Sequence, residues 1–311
     1  MEHSFQEGIP SAFTLDFDSG IFHHPQHLLL QASEGWHSYV LLNRSQKLVE
    51  GIIHYHIDGA EAKSPYRSPY GSFIFSERVS ETLLAEFVGF TEQKLKDAGV
   101  QQVLLKNPPE IYTAQSSSLL CKVLLESGYT ISKEETSAVI SILHHSFEQI
   151  LHRSKKSRLN KCHDQQFSFV SWPLSRLSEV YDFIRACREE KGYTLSMSKM
   201  ELQRVANAFA EVFFLHVVMD GHQPVAASIS IRVNKTVLYT FYYDHGEQYD
   251  AMSPVVFLCE GLYSFCQQNQ IAHLDLGTAN TDGKPNLPLL NFKLSLGAQP
   301  SRKLTFVKNL S

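Results

Sequence analysis

Apolar positions in the first half of the chain switch from a strand pattern to a helix pattern and back. Between Ser80 and Ala98 they recur at i, i+3, i+4 and i+7, which predicts an amphipathic helix. Shorter extended or apolar runs on either side favour strands. The elements predicted here are strands at 36–42 and 47–57, the helix, a strand at 100–105, a helix at 116–127 and a strand at 136–143.

The second half is predicted to contain a strand meander between helices. Asp220-Gly221 lies between alternating apolar runs, which is a good hairpin signal. Ser253 and Pro254 suit the N-cap and the first position of a helix. The elements predicted here are a helix at 175–191, strands at 212–219, 225–233 and 236–244, a helix at 253–268, a strand at 271–276, a helix at 287–294 and a strand at 303–307.

The two halves repeat one order of elements. In each, a helix opening at a serine is followed by a strand and then by a helix that ends at glycine. Gly128 follows Val100 by 28 residues, and Gly297 follows Ile271 by 26. Such units are common, so chance is the alternative, but the agreement of order and spacing favours a duplication.

Length and composition indicate a folded protein of two domains, predicted at 1–150 and 151–311 of the 311 residues. Hydrophobic residues at 43% and charged residues at 19% exclude a disordered, collagen-like or coiled-coil chain. No apolar run approaches the roughly 20 residues of a membrane span, and we expect no secretory signal. Five cysteines without a C-x-x-C pair favour the reducing cytoplasm over a disulfide scaffold.

A basic segment at 153–161 contrasts with the net charge of −4 of the whole chain. It holds five basic residues and no acid, and any polyanion site has to be local in a chain of this charge. Lys155, Lys156 and Arg158 are therefore candidates for binding the phosphate of a nucleotide-linked acceptor, a tRNA or an acyl carrier. The alternative is a solvated helix face.

The start of the helix predicted at 253–268 is a second candidate anion site. Unpaired amides and the positive end of the helix dipole concentrate at a helix N-terminus. A cofactor pyrophosphate is therefore expected near Ser253, Val255 and Val256. The alternative is that Ser253 only caps its helix.

Four segments, taken in order along the chain, give a resemblance to the FemABX-like family of tandem GNAT acyl and aminoacyl transferases. The resemblance covers 36–308 and implies an α/β fold with α+β mixed sheets in two GNAT-like domains. The segments are SPYRSPYGSF at 64–73, the basic helix at 153–161, DLG at 275–277 and NFKLSLGA at 291–298.

This resemblance implies an acyltransferase that moves an acyl or aminoacyl group from a thioester or tRNA ester to a primary amine. Acyl-CoA, an acyl carrier or aminoacyl-tRNA is the implied co-substrate, with no tightly bound cofactor. An amine-bearing small molecule or a cell-wall precursor is the implied acceptor. Two alternatives stay open: a CoA-dependent N-acetyltransferase of a small amine, and a non-catalytic binding module. The loop at 248–253 lacks the glycines of the usual GNAT pyrophosphate loop, which favours the binding module.

Attack of an amine on an activated carbonyl requires stabilisation of the developing oxyanion. The resemblance implies this role, or phosphate binding, for Lys293, whose alternative is a solvated helix lysine. Strict alternation along 236–244 places Thr240, Tyr242 and Asp244 on one strand face. Asp244 is a candidate acceptor of the amine proton and Tyr242 a candidate donor to the leaving group. A turn-forming Asp244 and a core Tyr242 are equally good interpretations.

Asp275 shares a face with His273 on a strand expected to be buried, so it needs a partner. A structural hydrogen bond is favoured over a catalytic role. Tyr66, Arg67 and Tyr70 lie in the proline-rich loop, where substrate contact and loop packing are both open. The histidines cluster at 23–27 and 54–56, but no acidic or cysteine partner is suitably spaced, so no metal is expected.

Overall fold

The computed structural model describes residues 3–281 and 284–310. The chain divides into two compact units: unit 1 contains 1–136 with 301–311, and unit 2 contains 137–300. The division thus lies nearer residue 136 than the expected 150, and the final strand is grouped with unit 1 from Ser301 onward.

Unit 1 is built on a sheet with the strand order β1 (His3–Glu7), β3 (Trp36–Asn43), β4 (Leu48–Asp58), β5 (Glu61–Ser64), β7 (Gln102–Lys106), β16 (Gln299–Asn309) and β8 (Thr130–Ser141). From β1 to β16 the neighbours are antiparallel except β5 and β7, which are parallel. Helix α2 begins after Ser80, whose Oγ accepts a hydrogen bond from Leu83 N at 3.3 Å. The elements are β1 (His3–Glu7), β2 (Thr14–Leu15), α1 (Pro25–Gln31), β3 (Trp36–Asn43), β4 (Leu48–Asp58), β5 (Glu61–Ser64), β6 (Ile74–Phe75), α2 (Glu81–Asp97), β7 (Gln102–Lys106), α3 (Ala114–Glu126) and β8 (Thr130–Ser141).

Unit 2 contains the sheet order β8-β13-β12-β11-β10-β9, in which β8 contributes its residues from Ser137 onward. Strands β12 and β13 are parallel and the other neighbours are antiparallel. The elements that follow β8 are α4 (Phe147–Ile150), α5 (Arg153–Asp164), β9 (Ser168–Trp172), α6 (Leu177–Glu190), α7 (Lys199–Ala208), β10 (Phe213–Asp220), β11 (Gln223–Asn234), β12 (Val237–His245), α8 (Pro254–Gln268), β13 (His273–Thr278), β14 (Asn280–Thr281), β15 (Lys284–Pro285), α9 (Leu287–Ser295) and β16 (Gln299–Asn309), whose residues from Ser301 belong to unit 1.

Each unit contains the same succession of elements, which confirms the mixed α/β fold class and agrees with the predicted duplication. In unit 1 the meander β3-β4-β5 is followed by α2, by β7 parallel to β5, and by α3. In unit 2 the meander β10-β11-β12 is followed by α8, by β13 parallel to β12, and by α9. The hydrophobic pattern could predict this order because each amphipathic helix buries one face on its own sheet.

Helix α8 is the central packing element of unit 2. Nine of its fifteen residues are buried, and its polar residues lie together on the remaining face, at Glu260, Ser264, Gln267 and Gln268. It packs on β10, β11 and β12 and on α5. The core around it includes Val256, Leu258, Leu262, Tyr263 and Cys266. Burial of the apolar face of this helix holds it against β12 and β13, because removing apolar surface from water is the main favourable term in folding.

Unit 1 contains buried, uncharged histidines on β4 and the short helix before α1. The His54 ring lies 5.6 Å from that of His23, centroid to centroid, and His54 Nδ1 is 2.7 Å from Ser38 Oγ. Within the described residues, His23 Nδ1 and His54 Nε2 are buried without a hydrogen-bond partner. Burial lowers the pKa of His23 to about 3 and that of His54 to about 4. Both histidines therefore resist protonation while the chain is folded.

Acid is expected to destabilise unit 1 through these histidines. Their folded pKa values lie below the unfolded value of 6.5, so the unfolded chain binds more protons below that pH. The free energy of unfolding should be steady above pH 6.5 and fall on acidification towards pH 4, by about 1.4 kcal/mol per pH unit for each histidine. Urea titrations at several pH values measure this slope. His23→Phe should lower this slope by about 1.4 kcal/mol per pH unit, the contribution of one histidine. An unchanged slope in His23→Phe would contradict the assignment.

Candidate functional site

A cavity of about 720 Å³ opens in unit 2 where two parallel strands separate. Strands β12 and β13 pair only over 237–239 and 273–275, and the residues that follow on both strands line the cavity. Helix α9 and the end of α6 complete its wall. Its aromatic lining consists of Tyr193, Tyr239, Phe241, Tyr243 and Phe292.

Lys293 of α9 lies in the wall of this cavity with only 3% of its surface exposed. Its Nζ donates hydrogen bonds to the carbonyl oxygens of Gly277 and Thr278, each at 3.0 Å. Burial lowers the pKa of the amine to about 8, while the nearby Asp275 carboxylate acts in the opposite direction. The predicted lysine is therefore a buried amine in a cavity, and the solvated alternative is wrong.

The turn at Gly277 explains how two consecutive carbonyls can face one amine. Gly277 has φ +77°, a left-handed conformation that a side chain would strain. The carboxylate of Asp275 fixes the turn by accepting a hydrogen bond from Gly277 N at 2.7 Å. Thr240 Oγ1 in turn donates to Asp275 O at 2.8 Å. Asp275 thus has the structural hydrogen bond that the sequence favoured, and it also supplies a negative charge close to Lys293.

A cationic group forms another part of the cavity wall. Asp244 accepts a hydrogen bond from Lys191 Nζ at 2.6 Å, and its second oxygen lies 3.5 Å from Arg188 Nε. The carboxylate is therefore already engaged, which weakens its candidacy as an acceptor of the amine proton. Two cations against one anion leave this group with one net positive charge.

Sequence reasoning missed both cations of this wall. Arg188 lies in the last turn of α6, and Lys191 caps the C-terminus of the same helix. Cations are favoured there by the helix dipole, so their positions alone carry no functional signal. Only the approach of α6 to β12 brings them to the cavity.

Tyr242 does not line the cavity, and a bulge just before it reverses the side-chain alternation of β12. Thr240 pairs with Ser230 and Tyr242 with Ile229, so Phe241 is the extra residue. The prediction that Thr240, Tyr242 and Asp244 share one face of the strand is therefore wrong. Tyr242 and Asp244 lie on one face of β12 and Thr240 lies on the other. The Tyr242 hydroxyl accepts a hydrogen bond from Met197 N at 2.8 Å and lies 2.8 Å from Ser196 Oγ. These bonds support the interpretation of Tyr242 as a core residue.

The N-terminus of α8 offers few amides to an anion. Ser253 occupies the N-cap position with φ +57°, and its side chain forms no capping bond. Pro254 has no N–H, and Val256 N donates to Ser253 O at 2.9 Å. Val256 is fully buried, whereas Val255 lines the cavity. Of the three residues predicted for the pyrophosphate site, Ser253 and Val256 thus have amides that are already bonded, that of Ser253 to Tyr249 O at 3.0 Å.

The basic segment is helical, as expected, and continues to Asp164. Lys155, Lys156 and Arg158 are all half-buried. Lys155 Nζ lies 4.5 Å from the centroid of the Phe292 ring, and burial lowers the pKa of this amine. Lys155 also lines a second, more open cavity of about 600 Å³. Phe292 lines both cavities, so the basic helix and the surroundings of Lys293 share one aromatic wall.

The three predicted residues of the proline-rich loop lie in unit 1 and make local contacts. Tyr66 stacks on His56 with a centroid separation of 3.9 Å. Arg67 N donates to Gln31 Oε1 at 2.8 Å. Tyr70 packs edge-on against the Phe22 ring. These contacts agree with loop packing, and substrate contact remains a hypothesis.

Solved structures with this fold include FemX. FemX superposes with a TM-score of 0.70 at 10% identity, over 94% of this chain and 92% of FemX. The C-terminal domain assigned to a lysylphosphatidylglycerol synthetase of Agrobacterium fabrum gives 0.53 at 11% identity, over 84% and 81% of the two chains. L-PGS of Bacillus licheniformis gives 0.51 at 14% identity, over 83% and 81%. The fold implied by the FemABX-like resemblance is thus confirmed.

Sequence comparison adds nothing to this likeness of fold. No protein-family model and no curated protein matches the chain. Among the residues that the structure describes, no helix has the length and apolar character needed to cross a membrane.

Replacing Tyr242 by Phe is expected to destabilise the protein. The substitution removes the acceptor of the Met197 amide and leaves that donor unpaired, which costs about 1–3 kcal/mol. Urea unfolding should show a lower midpoint. Tyr66→Phe, at an exposed tyrosine, is the matched control and should change stability little. Wild-type stability in Tyr242→Phe would contradict a structural role for this hydroxyl.

Proposed function

We propose that the chain is an acyltransferase that moves an acyl or aminoacyl group from a thioester or a tRNA ester onto a primary amine. The observation that carries this proposal is the buried Lys293 amine, held by two carbonyls in the wall of a cavity large enough for a small acyl ester. The fold that the chain shares with FemX and with aminoacyl-phospholipid synthetases supports the same class of reaction.

Lys293 is proposed to stabilise the oxyanion that forms when the amine attacks the ester carbonyl. Two hydrogens of its ammonium group are donated to Gly277 O and Thr278 O. The third hydrogen then has a fixed direction, away from both carbonyls. A donor held in advance in a site shielded from water needs no reorganisation as charge develops, which is the basis of oxyanion stabilisation.

The cationic wall is proposed to bind an anionic part of a substrate. Arg188 and Lys191 outweigh the charge of Asp244, which is the one carboxylate among the described residues that line the cavity. A phosphate or carboxylate of the donor or the acceptor would be attracted there, whereas a cationic side chain would be repelled. The acceptor amine is proposed to attack in its neutral form, and its lost proton ends on the leaving thiol or hydroxyl.

The donor is proposed to dock through side chains rather than through helix amides. The start of α8 lacks the amide donors that a pyrophosphate would use, since Pro254 has none and Val256 N is bonded. Helix α5 instead carries Lys155, Lys156 and Arg158 next to the Phe292 wall. This arrangement favours a polyanionic carrier such as aminoacyl-tRNA, with acyl-CoA as the second candidate. A thermal-shift panel of acetyl-CoA, long-chain acyl-CoA and charged tRNA distinguishes them, because ligand binding raises the melting temperature.

Lys293→Met is expected to slow acyl transfer about 10²- to 10³-fold, because one oxyanion donor is lost. Met nearly preserves the length and volume of the side chain but leaves Gly277 O and Thr278 O without their donor, so the rates are compared at a temperature at which both variants are folded. The rate is measured with the donor that the thermal-shift panel identifies, and Lys96→Met on the exposed face of α2 is the matched control. Transfer at the wild-type rate in Lys293→Met would refute the role of this lysine.

The pH profile tests the protonation state. The ammonium form is the active one, and its pKa is about 8, so transfer should decline as pH rises through about 8. In Lys293→Arg the side chain stays positively charged at all accessible pH values. The remaining transfer activity of this variant should therefore show no decline in rate as pH rises through about 8.

Replacing Lys155, Lys156 and Arg158 together by Gln is expected to weaken a tRNA ligand and to reduce the salt dependence of its binding. Each lost contact with a single-strand phosphate lowers the slope of log K against log salt by about 0.7, so the slope should fall by about 2. Fluorescence titrations at several salt concentrations measure it. The control variant changes Arg78, Lys94 and Lys96, which are exposed residues of unit 1, to Gln. If both variants bind alike, α5 is only a solvated surface.

A further inference from the structure

We propose that Lys293 is also a covalent modification site, selective for aromatic aldehydes that carry an anionic group. This inference rests on the geometry of the cavity and goes beyond acyl transfer. It concerns the neutral amine, whereas the proposed transfer uses the ammonium ion. The two proposals can therefore fail separately.

The hydrogen bonds of Lys293 orient its amine for reaction. A neutral amine has two hydrogens and one lone pair. Gly277 O and Thr278 O accept the two hydrogens, so the lone pair takes the remaining tetrahedral direction, away from both carbonyls. The same contacts that hold the ammonium ion as a donor thus hold the neutral amine as a nucleophile.

The surroundings of the amine make its neutral form accessible near physiological pH. The charged or titratable groups that act on it are Asp275 on β13, Arg188 on α6 and Cys259 on α8. Burial is the largest effect and lowers the pKa to about 8 in spite of Asp275. Because half of the amine is neutral at that pH, imine formation does not require strongly alkaline conditions.

The other lysine of the cavity has no comparable freedom. Lys191 Nζ donates to Asp244 Oδ1 at 2.6 Å and to His245 O at 2.9 Å. The Lys191 amine is thus engaged by a carboxylate and a carbonyl. Modification inside the cavity should therefore occur at Lys293.

The walls of the cavity define the class of electrophile. Tyr239, Phe241 and Phe292 offer aromatic surface to a planar ring. Arg188 and Lys191 offer positive charge to a carboxylate or phosphate. An aromatic aldehyde with an anionic substituent matches both features, and its carbonyl carbon is the atom that Lys293 would attack.

The chemistry balances without a further reactant. The Nζ lone pair forms a bond to the aldehyde carbon, and the carbonyl oxygen takes up a proton. Loss of this oxygen as water leaves a carbon–nitrogen double bond, with both amine protons accounted for in the water released. The adduct is reversible and can be trapped by reduction with borohydride.

The test uses the full-length protein and 4-carboxybenzaldehyde at pH 8, with borohydride trapping, intact mass and peptide mapping. We expect a single adduct on the peptide that contains Lys293. Methyl 4-formylbenzoate, which has the same ring without the charge, should label this residue at least about tenfold less. Lys293→Arg should lose the adduct, and Arg188→Gln should reduce the preference for the acid over the ester.

Two results would overturn the proposal. One is a wild-type peptide map in which the adduct is spread over surface lysines with no preference for Lys293. This result needs no variant, so it holds even if a variant folds poorly. The other is equal labelling of Lys293 by acid and ester. If Lys293 is not labelled but acyl transfer is intact and depends on Lys293, this inference is wrong and the proposed transferase activity stands. If Lys293 is labelled but no acyl transfer is found, the modification site is supported and the transferase proposal is not.

Discussion

The site depends on one constraint, the burial of an amine that must be satisfied by protein atoms. A buried lysine without partners would lose far more solvation than the fold could tolerate. Here the partners are two successive carbonyls presented by the turn at Gly277, and the turn is itself held by the Asp275 carboxylate. The separation of β12 from β13 leaves room for these groups. A substitution at Gly277 or Asp275 is therefore expected to change the protonation of the Lys293 amine as well as its position.

Charge is distributed unevenly around the cavity. Asp275 accepts a hydrogen bond from Gly277 N, and Asp244 accepts one from Lys191 Nζ. Both carboxylates are thus bonded within the protein, and the net charge of the described side chains around the cavity is positive. The amides of the α8 N-terminus, which many anion sites use, are partly absent or already bonded. Recognition of an anionic substrate would therefore rely on long side chains, which can adjust to different ligands more readily than a rigid loop of amides.

Much of the fold could be predicted from the sequence, and the failures have physical causes. The helices at 81–97 and 254–268 and the hairpin at Asp220 follow from periodicity and turn chemistry. Helix α7 was missed because its signal, a capping box at Ser198, lies outside any long apolar pattern. Lys293 was found through resemblance, since a helical lysine between apolar residues has no intrinsic signature. The bulge at Phe241 was not predictable, because it arises from pairing with β11 and leaves no mark on local alternation.

The placement of β16 has a consequence for biosynthesis. This strand lies between β7 and β8 in the sheet of unit 1, yet the ribosome makes it after all the residues of unit 2. Unit 2 from 137 to 300 is continuous and can form as soon as it emerges, whereas the first 136 residues must wait with an open gap in their sheet. The sheet of unit 1 can therefore be completed only after unit 2 has been translated, and until then the edges of β7 and β8 that pair with β16 have no partner strand.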